Sequence, residues 1–162
     1  MDANKLMVGD WVRILPTVHG RREYVTKVAG IGKDVLLYYN DAGHQTAGFE
    51  RVVPIPLTIE ILKLNGFEYG LTTEQEDILS AGLGVPVTVE KGWVYEDENG
   101  ASVVMKFSNE SDWVCIVVEN GYDRDVYLFW SESIYVHDFQ HVLRRCGLHD
   151  FADKLKIENN KE

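Results

Sequence analysis

Two prolines one residue apart constrain this chain more than any other feature. In Val52-Val53-Pro54-Ile55-Pro56-Leu57-Thr58 both prolines fix their own φ and push Val53 and Ile55 toward extended backbone. With two N–H donors missing, the segment cannot continue a central strand. Thr58 is placed to cap a helix, with Glu60 in a first turn that favours negative charge. Ile59, Ile61, Leu62 and Leu64 form its apolar side, and Asn65-Gly66-Phe67 is a stop signal with a hydrophobic contact beyond it. The stretch reads as a stiff strap between strands and helix, with Ile55 and Leu57 packed where two units meet so that they behave as one body. A docking motif for a proline-reading partner would need PxxP spacing, which is absent.

Before the strap, strand patterns follow one another closely. Trp11 to Leu15 alternates after the Gly9-Asp10 turn, and Pro16 ends it. Tyr24–Val28 is a second strand, Val35–Tyr39 a third whose apolar run predicts burial on both faces, and Gln45–Phe49 a fourth. Val52-Val53 closes the set. Short strands with Gly-rich turns predict a small SH3-like β-barrel over residues 1–56, opening on Val8-Gly9-Asp10-Trp11-Val12.

Residues 57–157 read as an α+β unit, an antiparallel meander packed by helices, followed by a polar tail at 158–162. Thr73-Glu74-Gln75-Glu76 has capping-box spacing within a mobile insert at 70–84. Val87–Glu90, Trp93–Tyr95, Ala101–Phe107 and Trp113–Glu119 alternate as strands, and Asn120-Gly121 is a hairpin turn leading into Tyr122–Trp130. In the last helix Val136, Phe139, Leu143 and Cys146 recur at i, i+3, i+7 and i+10, with Val142 widening the stripe. Asp138, His141, Arg144 and Arg145 fall opposite, and Gly147 stops the helix. The stripe is expected to cover a face of the meander.

Charge narrows the function classes. The chain carries −10 in 162 residues, with seven basic against six acidic residues in 1–57 and all the excess acid beyond. An acidic body repels phosphates, which disfavours general binding to nucleic acid or anionic membrane. No apolar run approaches the roughly 18 residues that span a bilayer, and Met1–Lys5 opens no secretory signal. Cys115 and Cys146 form neither a metal pair nor a disulfide framework, so a cytoplasmic protein with free thiols is expected.

The most suggestive chemistry is His137-Asp138-Phe139-Gln140-His141, two histidines at the i, i+4 spacing of zinc peptidases. That motif needs Glu where Asp138 stands, Gly at Arg144 and His at Gly147. Ser131-Glu132-Ser133 lacks a nucleophile-elbow context, Cys115 lies in an apolar strand, and Glu96–Gly100 lacks a calcium loop's closing Glu. No catalytic residue, metal ligand or cofactor is expected, and the chain reads as no enzyme.

Pro54–Phe67, the Tyr135-Val136-His137-Asp138-Phe139-Gln140 helix start and Asn4–Val12 resemble segments of a family of small proteins of gut-dwelling bacteria and their mobile elements. The resemblance implies a shared fold and carries no established activity. It directs attention to Tyr135, His137 and Gln140, either as a polar knot satisfying backbone groups or as a polar rim around an aromatic pocket, with His141 one turn further along the same helix face. Aromatic content of 11% and the absence of a catalytic set point to an interaction or regulatory module for a protein or peptide. The alternative is a nucleic-acid role, through Arg13, Arg21, Arg22 and Lys27 of the barrel or through acidic DNA mimicry, and Trp11 joins Arg13, Arg21 and Arg22 as a candidate barrel contact.

Overall fold

The computed structural model describes residues 5–17, 22–71, 76–77, 91–96, 102–107, 113–119, 122–124 and 134–157. They form an α+β protein built on two five-stranded antiparallel sheets. The chain divides into two compact units, Met1–Leu57 with Tyr135–Glu162, and Thr58–Ile134.

In the first unit the strands are β1 (Trp11–Ile14), β2 (Tyr24–Ile31), β3 (Val35–Asn40), β4 (Gly43–Gly48) and β5 (Val52–Val53). Their order is β4-β3-β2-β1-β5. Strand β2 serves two neighbours: Tyr24–Lys27 lie opposite β1, while Val28, Gly30 and Ile31 lie opposite β3, with a register shift between Val28 and Gly30. An extra residue in a strand bends it and increases its twist, and β2 turns the sheet there. A 3₁₀ turn at Phe49–Arg51 leads into β5, which returns antiparallel to β1. Among the described residues β4 and β5 do not pair, and no closed barrel is found.

Alternation decides the core. Val12, Ile14, Val28, Leu36, Tyr38, Ala47 and Val52 point inward and pack with Leu6. The expectation that Val35–Tyr39 is buried on both faces is corrected: Leu36 and Tyr38 are buried, whereas Val35, Leu37 and Tyr39 remain 37, 36 and 54% exposed. Nothing among the described residues covers that outer face, so the apolar run reflects composition and not two-sided packing.

The strap behaves as its prolines dictate. Ile55 and Leu57 are buried, Pro56 bridges Tyr135, and the Val136 N–H donates to the Ile55 carbonyl at 2.8 Å. The chain therefore leaves the first unit after Leu57 and rejoins it at Tyr135, beside its point of departure.

Helix α1 (Ile59–Leu64) starts at Thr58, whose Oγ1 accepts from the Ile61 N–H at 3.3 Å. Glu60 sits in the first turn, its carboxyl held below the usual range by a backbone hydrogen bond, the Thr58 side chain and Lys63. At the far end Gly66 and Phe67 donate to Lys63 and Leu62, with Leu62 and Phe67 both buried. The second sheet runs in chain order: β6 (Glu68–Gly70), β7 (Gly92–Glu96), β8 (Ser102–Phe107), β9 (Trp113–Glu119) and β10 (Tyr122–Arg124). Glu119 lies opposite Tyr122 in antiparallel register, and the Asn120-Gly121 turn itself lies outside the described residues. Arg21, the Thr73 capping box, most of the 70–84 insert, Val87–Glu90, Asp125–Trp130, Ser131–Ser133 and the 158–162 tail lie outside the described residues.

Helices α2 (Val136–Arg145) and α3 (His149–Lys154) complete the first unit. Gly147, at φ +85°, lets its own N–H reach the Arg144 carbonyl and that of Leu148 the Leu143 carbonyl, which ends α2. The sequence reading placed α2 on the meander within a 57–157 unit. The structure instead joins 135–157 to the N-terminal strands. An apolar stripe specifies which side of a helix is buried and leaves open which sheet receives it. The choice rests on polar groups, with Gln140, His141 and Arg144 of α2 bonded to Trp11 and Asp10.

Candidate functional site

Asp10 occupies the turn into β1 and is completely buried. Its carboxylate accepts from three directions. The Met7 N–H reaches Oδ2 at 2.7 Å, Arg144 Nη1 reaches Oδ1 at 2.7 Å, and His141 Nε2 lies 2.7 Å from Oδ2. A carboxylate oxygen only accepts, so His141 carries its proton on Nε2. Arg144 continues through Nη2 to Asp153 of α3 at 3.0 Å. Burial works against the Arg144 charge, but the Asp10 hydrogen bond and then Asp153 outweigh it, and its pKa is raised. Gly9, at φ +92°, admits this approach: a Cβ there would stand 2.9 Å from Arg144 Nη2.

Gln140 is also fully buried and is the second tie between α2 and the strands. Its Oε1 accepts from the Trp11 N–H at 2.9 Å, while Nε2 donates to the carbonyls of Gly9 at 3.2 Å and Ala152 at 3.0 Å. One side chain thus satisfies backbone groups of β1, of the turn before it and of α3. Trp11 Nε1 donates to the Leu155 carbonyl at 2.8 Å, and the Lys27 ammonium lies 5.2 Å from the Trp11 ring centre while donating to the Asp153 carbonyl.

His137 differs from its neighbours. It is 3% exposed, stacks on Tyr135 with ring centres 5.8 Å apart, and meets His141 edge-on at 6.0 Å. Its Nε2 lies 3.5 Å from Asp138 Oδ1, and Nδ1 has no partner among the described residues. Burial lowers its pKa; Asp138 and Asp10 oppose the shift, and His141 and Lys5 add to it. Among the described residues no group of three or more His, Cys, Asp or Glu is arranged to hold a metal ion.

The polar candidates therefore converge on an internal keystone. Tyr135 is half-buried, His137 and Gln140 are buried, and His141 is tied to Asp10. Sequence reasoning treated Asp10 as a turn residue and Arg144 as a helix-end charge; neither position signals a partner more than a hundred residues away. Of the barrel candidates, Trp11 is held by Leu155, Arg13 on the same face of β1 pairs with Glu23 at 3.5 Å, and Arg22 is exposed.

The open surface lies elsewhere. Val35, Leu37 and Tyr39 stand on the outer face of β3, with Tyr39 against His44 of β4 at 4.3 Å. In the second unit a depression of about 400 Å³ is lined by Glu68, Glu76 and Glu96 together with Tyr69, Leu71 and Val94. Charge separates the units: by sequence the first holds twelve basic and eleven acidic residues, the second four basic and fifteen acidic. The whole excess of acid belongs to Thr58–Ile134. No helix among the described residues is long and apolar enough to cross a membrane. No family model, curated protein or solved structure matches the chain.

Proposed function

We propose that the chain is a non-enzymatic interaction module that binds a protein or peptide partner on the outer face of its N-terminal sheet. The observation that carries this reading is the exposed stripe of Val35, Leu37 and Tyr39. Three large apolar side chains on alternate positions of one strand are the pattern of a face built to be covered. We read that sheet as a small SH3-like barrel, supported by the order β4-β3-β2-β1-β5, the bend in β2 and the 3₁₀ turn before β5. The polar cluster supports the reading, because Asp10, Gln140, His141 and Arg144 spend their hydrogen bonds on one another and on the backbone of the same unit. Nucleic acid is the weaker candidate: Arg13 and Lys27 are engaged inside the unit.

The test is capture of a partner from the native host by immobilised full-length chain, compared with a Leu37→Ser/Tyr39→Ser variant. The expected result is a partner retained by the parent and lost from the variant, with unchanged near-ultraviolet circular dichroism. Equal capture by both overturns the assignment of this face.

A further inference from the structure

The two edges of the N-terminal sheet are built differently. β5 is two residues long and runs into Pro54 and Pro56, which lack donors, while Pro56 and Ile55 are already engaged with Tyr135 and Val136. That edge is closed. β4 is six residues long, Gly-His-Gln-Thr-Ala-Gly, and pairs in unbroken register from Val35 opposite Gly48 to Asn40 opposite Gly43. It contains no proline, no lysine or arginine and no bulge, the devices that ordinarily blunt a sheet edge. Among the described residues it is bonded on one side only, to β3.

Resting on the interaction reading above, we propose that the partner enters as an added β-strand on β4, an extended apolar segment flanked by cationic residues. Strand addition satisfies the unpaired backbone groups of β4 and sets partner side chains beside His44 and Thr46. Strands lie ~4.8 Å apart, so large apolar side chains on the added strand lean across His44 and Thr46 toward Leu37 and Tyr39 one strand further in. The edge-on contact of Tyr39 with His44 already carries the apolar face of β3 onto β4.

The ends of β4 specify charge. Asp41 is exposed in the hairpin turn before it, and Glu50 just after it lays its carboxylate over Gly48, in the space a Cβ there would fill. Lys33 and Asp34, in the turn before Val35, offset one another. Carboxylates at both ends of a neutral strand suit an extended segment with lysine or arginine on either side of its apolar run. They also argue against a second copy of this chain. Two-fold antiparallel pairing of β4 with itself, Gly43 opposite Gly48, brings Asp41 of each copy toward Glu50 of the other, a like-charge contact made twice.

The experiment pans a random twelve-residue peptide library against the full-length chain, then maps the selected peptides by hydrogen exchange. The proposal expects β-branched or aromatic cores flanked by lysine or arginine, slowed exchange at the amides of β4, and roughly tenfold weaker binding by an Asp41→Lys/Glu50→Lys variant. Absence of enrichment, cores without cationic flanks, or protection away from β4 overturns it. Protection of β4 that grows with protein concentration without peptide also overturns it, in favour of self-pairing. If selected peptides bind elsewhere but still require Leu37 and Tyr39, strand addition fails while the interaction reading stands. If Leu37 and Tyr39 are dispensable, that reading fails as well.

Discussion

The two sheets share a strand number and antiparallel pairing, yet the units around them are held together in different ways. The first gathers two separated pieces of chain, β1–β5 and the α2–α3 stretch, around two buried polar side chains, Asp10 and Gln140. In the second, the described strands form a meander after α1, and each pairs with the next in chain order. The first is nearly neutral and the second strongly acidic. A fold assembled from distant pieces needs directional contacts that fix where each piece docks. A meander is guided by its turns and alternation, and tolerates a one-sided charge.

That contrast predicts where single substitutions matter most. Asp10→Ala leaves Arg144, His141 and the Met7 N–H facing a buried gap. Removing one partner of a buried charge pair costs about 3–5 kcal/mol, and the loss should appear as faster hydrogen exchange in Val136–Leu143 and a lower melting temperature. Asp10→Asn, which keeps the shape and one acceptor, should lose less. If the amides of Val94, Val103 and Val104 respond as strongly as those of α2, the contrast between the units is wrong.

Gln140→Leu keeps the volume but strands the Trp11 N–H and the carbonyls of Gly9 and Ala152. At ~1 kcal/mol for each lost backbone partner the expected destabilisation is about 2–3 kcal/mol, read from a denaturant midpoint. A neutral result would mean that water reaches those groups and that the knot is no anchor.

Much of this architecture was legible in the residues, and what was not has a common cause. Pro54, Pro56, Thr58, Asn65-Gly66 and Gly147 act on backbone within a few residues of themselves, so their effects could be read in place. The i, i+3, i+7 stripe likewise identified Val136, Phe139 and Leu143 as buried. The stripe could not say that α2 sits with β1, because that depends on Asp10 meeting His141 and Arg144 across the chain. For the same reason His141 and Arg144 looked like a solvent-facing side. The run Val35–Tyr39 misled differently: hydrophobicity alone cannot separate a strand covered on both faces from one covered on a single face.

His137 offers a third test, through pH. Its folded-state pKa lies below the ordinary value of 6.5 because burial penalises the charged ring. As pH falls through 6.5 the unfolded chain therefore takes up the proton first, and stability declines until the folded-state value is passed. His137→Phe keeps a ring against Tyr135 and should flatten the denaturant midpoint between pH 7.5 and pH 5 relative to the parent. The change should appear in the amides of α2 before those of β7 and β8, and an unchanged slope would show that His137 is already protonated or hydrated in the fold.

The smallest effect concerns the acidic unit. Fifteen acidic against four basic residues in Thr58–Ile134, with Glu68, Glu76 and Glu96 around one depression, make like-charge repulsion a standing cost there. Screening by added salt relieves it, so raising sodium chloride from 0.02 to about 0.2 M should stabilise the second unit by something under ~1 kcal/mol. The first unit should respond less, since the Asp10–Arg144 contact is buried and screened little. Site-resolved exchange at Val94, Val103 and Val104 against Val12 and Leu36 separates the two responses. Equal shifts would mean that the charge division has no energetic consequence, and the acidic unit would then differ from its neighbour only in how its chain is threaded.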